Sequence, residues 1–139
     1  MRIAVDSSVL LDVLAGDPHF GETSREALRR IYDAGVLVAC DIVWGEVRAH
    51  FPEVVTFRST LATLGVVYEP LRAEAAELAG ERWRDYCLMI RRKRDRDRLI
   101  ADFLIGAHAQ IQTEALLSRD RGFFRSHFPA LRLIDPTEE

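Results

Sequence analysis

Five short runs of β-branched and apolar residues, at 2–6 (RIAVD), 36–40 (VLVAC), 66–68 (VVY), 115–117 (ALL) and 131–134 (LRLI), alternate with stretches of helical spacing. This alternation constrains the fold more than any other feature. Strands that are almost wholly apolar must be covered on both faces, and strand–helix–strand order supplies the covering helices while running the strands parallel. The reading is therefore α/β, with a mainly parallel sheet between two helical layers. Ser7 or Ser8 can cap a first helix over SSVLLDVLAG, and a second covers 22–34, where Ala27, Leu28 and Ile31 recur before Gly35. Asp41 can cap DIVWGEVRAH, which Pro52 closes. Further helices are expected over 54–64, 72–92 and 99–112, with a short one after Asp120. With no repeat, linker or low-complexity segment, the 139 residues form one domain over 1–139.

Acids stand where such a fold wants apolar residues. Within 99–109 (LIADFLIGAHA) only Asp102 and His108 are neither apolar nor glycine, Glu46 lies inside IVWGEV, Asp6 ends IAVD, and Asp120 follows ALLS. An ionised carboxylate in apolar surroundings requires a cation, a donor network or a proton. Parallel sheets gather ligands at the carboxyl ends of their strands, which would bring Asp6 and Asp120 to one edge, with Glu46 and Asp102 facing it from helices. Unit charges about 4 Å apart repel by about 4 kcal/mol at an effective dielectric near 20. A divalent cation removes that repulsion, and an oxygen-only donor set suits hard Mg²⁺ or Mn²⁺ better than zinc. Taken singly, each acid is also explained as a helix cap or the partner of one of eighteen arginines; Asp120 in particular can cap the helix it precedes. Asp12, Asp17 and Asp41 read as turn or cap residues, with Asp12 a candidate for the shell behind the site.

Other function classes are weakened by what the chain lacks. Cys40 and Cys87 have no spacing, with each other or with the four histidines, that suggests zinc or disulfides, so both read as packing residues. There is no GxxxxGK[ST], GxGxxG or GxSxG segment. A dehalogenase-like phosphatase needs a second Asp where Ser8 stands, and a receiver domain needs a lysine at the site, whereas the single lysine is Lys93. Net charge is −3, yet six basic residues crowd into 91–98 (RRKRDRDR). That run is either a solvated helix end or a patch in which Arg91, Arg92, Lys93 and Arg94 grip phosphates. No apolar run approaches the roughly 20 residues of a membrane span, and Asp6 interrupts the first strand too early for a secretory signal. A cytoplasmic protein is expected.

The segments IAVDSSVLLDVL, IVWGEV, LIADFLIGAHA and LLSRDRGFFR, in this order and spacing, resemble the PIN domains, and within them the VapC-type toxins of bacterial and archaeal toxin–antitoxin pairs. The resemblance spans essentially the whole chain and implies a PIN-like three-layer α/β/α fold. It also implies that Asp6, Glu46, Asp102 and Asp120 hold one or two metal ions, that the Ser8 hydroxyl supports the site, and that Ser118 helps order the last acid. The implied activity is a Mg²⁺- or Mn²⁺-dependent endoribonuclease, commonly homodimeric and silenced by a cognate VapB-type antitoxin whose C-terminal segment occupies a groove near the acids. The RRKRDRDR run departs from the family pattern, and Asp95 and Asp97 within it are too exposed and charged in their setting to be ligands. The rival expectation is a PIN-like RNA- or protein-binding module without catalysis. Trp44, Trp83, Tyr86, Phe123 and Phe124 read mainly as core.

Overall fold

The computed structural model describes residues 1–89 and 93–137, and for 93–99 the backbone alone. Its elements run β1 (Arg2–Val5), α1 (Ser7–Leu14), α2 (Gly21–Ala34), β2 (Val36–Ala39), α3 (Asp41–Arg48), α4 (Val54–Leu64), β3 (Val66–Tyr68), α5 (Ala73–Met89), α6 (Lys93–Gln112), β4 (Ala115–Leu117), α7 (Arg121–His127) and β5 (Leu133–Ile134). Every strand pairing is parallel, in the order β3-β2-β1-β4-β5. The mainly parallel α/β expectation is met. β1 occupies the centre, with Ile3 opposite Leu37 on one side and Ala115 on the other. From β1 the chain builds outward to β3, then returns to lay β4 on β1's other flank. The strand order thus switches direction between β1 and β4, and the carboxyl ends of these two strands are where such sheets place ligand sites.

The sheet is anchored by fully buried Ile3, Leu37, Leu116 and Leu117. Beneath α6 and α7 the rings of Phe103, Phe124 and Phe128 are also buried, and Phe103 packs edge-on to Phe123 and tilted against Tyr86. Trp44 lies edge-on to Phe57 and tilted against Tyr68, while Trp83 is partly buried against the core. The aromatic residues thus serve mainly as packing, and so does buried Cys40; Cys87 is half-buried, and both thiols are free. His108, the other polar residue of the apolar helix, is fully buried with Nε2 at 3.0 Å from Glu69 Oε1. Burial, reinforced by Arg2, pushes its imidazole down to about 4, so the neutral ring donates to Glu69. Gln112 donates to the same oxygen at 3.1 Å and Arg2 pairs with Glu69, so the distal end of α6 is tied to β1 and to the turn after β3.

Three local expectations differ from the structure. The residue preceding α1 is Asp6, with Ser7 and Ser8 already inside the helix, and Asp6 makes no side-chain capping bond. Likewise Cys40, not Asp41, precedes α3, and Asp41 Oδ1 instead accepts the Leu71 N–H at 2.9 Å. α6 begins at Lys93 rather than Leu99, because lysine and arginine extend a helix well even where no apolar periodicity marks it. α4 ends at Gly65 with φ +76°, and a Cβ there would lie 2.3 Å from the Tyr32 ring. Gly65→Ala is therefore expected to cost about 1 kcal/mol or more in urea unfolding, from left-handed backbone strain and the ring contact together. An unchanged midpoint would contradict this reading.

Candidate active site

Asp6 follows the central strand directly, and its backbone N–H donates to the Leu117 carbonyl of β4 at 3.0 Å, so strand pairing continues into the site. Its side chain is 6% exposed, with Oδ2 receiving the Ser118 hydroxyl at 2.7 Å and the Ser8 hydroxyl at 3.3 Å. Ser8, in the first turn of α1, and Ser118, just past β4, thus both reach Asp6. Ser118 Oγ also accepts the Asp120 N–H at 3.0 Å, linking the first acid to the last through one hydroxyl. Burial nevertheless pushes the Asp6 carboxyl up, against the lowering effect of Ser118, the Ser7 N–H and Ser8, with Asp120 adding to the rise.

Asp102 projects from α6 and is raised to about 6, first by burial and then by the negative charges of Asp6, Asp120 and Glu46. Glu46 is raised by burial against a lowering bond from the Ser7 side chain, and by Asp6. All four acids thus belong to one electrostatic cluster, with Asp102 sensing the other three. They differ in depth: Asp6 is buried, Asp102 partly so, and Glu46 and Asp120 are exposed. The exposure of Glu46 corrects its reading as a carboxylate in apolar surroundings, since Val43 and Val47 take the buried side of α3 and leave Glu46 on the solvent side. Asp120 also caps α7, accepting the Phe123 N–H at 3.4 Å.

Ion pairs among the described residues join Arg2 to Glu69, Arg119 to Asp12, and Arg121 to Asp135, away from these four acids. A cleft of like charges with an all-oxygen donor set fits a hard dication in chemistry. As they stand, no three His, Cys, Asp or Glu side chains among the described residues are arranged to hold an ion. Lys93 and Arg94 fall on the first turn of α6 with their side chains outside those described, and Arg91 and Arg92 lie outside the described residues.

Two features escaped the sequence reading. Ser7, expected to cap α1, bonds Glu46. Asp12 is 6% exposed and receives a two-pronged bond from Arg119, Nε to Oδ2 at 2.7 Å and Nη2 to Oδ1 at 3.0 Å. Asp17, by contrast, is the turn residue expected, accepting the N–H groups of His19 and Phe20.

Residues 3–128 match the PIN domain family, and the chain belongs to that family. No curated protein matches it. Among solved structures it is similar to VapBC2 from Rickettsia felis, described as bound to a DNA fragment from their promoter, at 16% identity and TM-score 0.67 over 97% of this chain and 98% of that one. It is similar as well to a toxin–antitoxin complex from Klebsiella pneumoniae, at 19% identity and TM-score 0.65 over 99% of each chain. VapBC-1 from nontypeable Haemophilus influenzae aligns at 16% identity and TM-score 0.69 over 99% of this chain and 100% of that one. At such identities the likeness is one of fold.

The raised Asp102 carboxyl makes a stability prediction. Its folded value lies above the ordinary 3.8, so the metal-free fold loses stability as pH rises from about 4 through 6, and the penalty is complete above that. Asp102→Asn removes the penalty. We expect the metal-free variant to exceed the parent by about 1–2 kcal/mol at pH 8, a full shift being worth about 3 before solvent screening. Most of the gain should be gone at pH 4; a variant no more stable at pH 8 than the parent would contradict the coupling.

Proposed function

We propose that this chain is a Mg²⁺- or Mn²⁺-dependent endoribonuclease, the toxin of a VapBC-type pair, acting on RNA in the cytoplasm and working as a homodimer. The observation carrying this reading is the half-buried Asp102, raised to about 6 by burial and by three neighbouring acids that converge at the sheet's switch point. Asp6 is our choice for the principal ligand: it ends the central strand, and the Ser118 and Ser8 hydroxyls hold its Oδ2 in place. Asp102 and Asp120 complete the donor set, with Asp120 held by its bond to the Ser118 hydroxyl, and Glu46 contributes from the mouth. A bound dication would supply charge neutralisation, Lewis acidity toward the phosphodiester and activation of a water, in one-ion or two-ion form. No protein side chain then needs to act as general base.

The full-length similarity to solved toxin–antitoxin complexes supports a VapB-type antitoxin as the partner. An apolar groove of about 450 Å³, lined by Leu11, Leu14, Ala15, His50, Phe51 and Thr60, begins on the helix that Asp6 introduces and is our assignment for the antitoxin segment.

Metal binding and cleavage of single-stranded RNA, measured in one sample, separate an enzyme from a binding module. Asp6→Asn and Asp102→Asn should each lower metal-dependent cleavage at least about 100-fold while leaving the fold intact, because each removes a charge that the metal compensates. Full activity in purified Asp102→Asn would defeat the proposal. If Arg91, Arg92, Lys93 and Arg94 grip phosphates, neutralising all four should flatten the slope of log affinity for RNA against log salt by about 3 units, at roughly 0.7 per contact on a single strand. An unchanged slope removes them from the substrate site.

A further inference from the structure

We propose that Arg119 is a positioning residue that sets where Asp120 stands relative to Asp6, through its clamp on Asp12. This role rests on the reading of the four acids as a metal site.

The turn from β4 to α7 carries Asp120 out to solvent; the Arg121–Asp135 pair ties it to the end of β5, and two fastenings among the described residues tie it to Asp6 and α1. One is Ser118, whose hydroxyl donates to Asp6 and accepts the Asp120 N–H. That hydroxyl and the Arg121–Asp135 pair hold the turn on the side of β1 and β5. The other is the Arg119 fork on Asp12, six residues along the rigid helix from Asp6. The fork adds an attachment on α1 itself, so the turn is braced against both Asp6 and the helix that follows it. Asp120's own capping bond, at 3.4 Å, is too long to do this by itself.

The clamp is built for direction as well as charge. Ser24 donates to Asp12 Oδ2 at 3.1 Å, so the buried carboxylate receives three bonds from two side chains. The guanidinium carbon lies 4.1 Å from the centroid of the Phe20 ring, which restrains the plane of the fork. A planar, bidentate cation fixes orientation, whereas an ammonium at the same place would satisfy the charge and leave the turn loose. Bracing the residue that carries a ligand is how outer partners tune metal affinity, typically by 10- to 100-fold.

A purely structural role would lower stability without touching the metal, so the test reads both. Mn²⁺ binding is followed by calorimetry, and melting is followed without metal, for the parent, Arg119→Lys, and the paired Asp12→Asn/Arg119→Gln, which leaves no buried charge unpaired. We expect both variants to bind Mn²⁺ about 10-fold or more weakly, with the neutral pair melting close to the parent. Adding Asp120→Asn to Arg119→Lys should cost less than Asp120→Asn costs alone, because the acid is already misplaced. Parent-like Mn²⁺ affinity in both variants, whatever their melting temperatures, overturns the role of Arg119. A parent chain that binds no Mn²⁺ overturns the metal reading itself, and this inference with it.

Discussion

Mutual repulsion among carboxylates is the constraint around which this fold is arranged. β1 lies at the centre of a parallel sheet and ends in Asp6, and β4, laid beside it after a long excursion of the chain, ends in Ser118 and Asp120. Their pairing runs on through the Asp6 N–H and the Leu117 carbonyl, so the first and last acids meet because two strands do. α3 and α6 bring Glu46 and Asp102 to the same edge. Hydroxyls of Ser7, Ser8 and Ser118 offset part of the resulting charge, yet burial and neighbouring acids still hold Asp6, Glu46 and Asp102 above their ordinary values.

Depth gives these acids different roles. Asp6 is shielded and bonded, Asp102 stands half out of an apolar helix, and Glu46 and Asp120 rim the opening. Such a gradient leaves one wall held by bonds and the other open to solvent. The fixed wall is reinforced from behind: His108, Gln112 and Arg2 converge on Glu69 to tie α6 to the sheet, and Arg119 ties the last turn to α1.

Much of this was legible in the sequence because the period of apolar residues reports local structure well. VLVAC and ALL could only be buried strands, and Asp102 stood out because its helix is otherwise so apolar. Register between distant segments was less visible. Asp12 and Arg119, 107 residues apart, carry no local sign of their pairing, and a serine bonding a glutamate on another helix looks like any serine at a helix start. The exposure of Glu46 was misread because IVWGEV is apolar as a string, whereas on a helix its valines face one way and its glutamate another. The early start of α6 was hidden for the opposite reason, since a charged helix without an apolar stripe leaves no periodic signal. Ser8 and Ser118 were found by family resemblance, not by spacing.

The central claim is that these four acids gather around one or two hard dications. Anomalous diffraction from crystals soaked in Mn²⁺ tests it most directly. The account predicts a peak within ligating distance, about 2.0–2.4 Å, of oxygens from Asp6 and from Asp102 or Asp120, at the carboxyl ends of β1 and β4. Strong peaks only elsewhere, or an occupied solvent network in the cleft with no anomalous signal at saturating Mn²⁺, would contradict it.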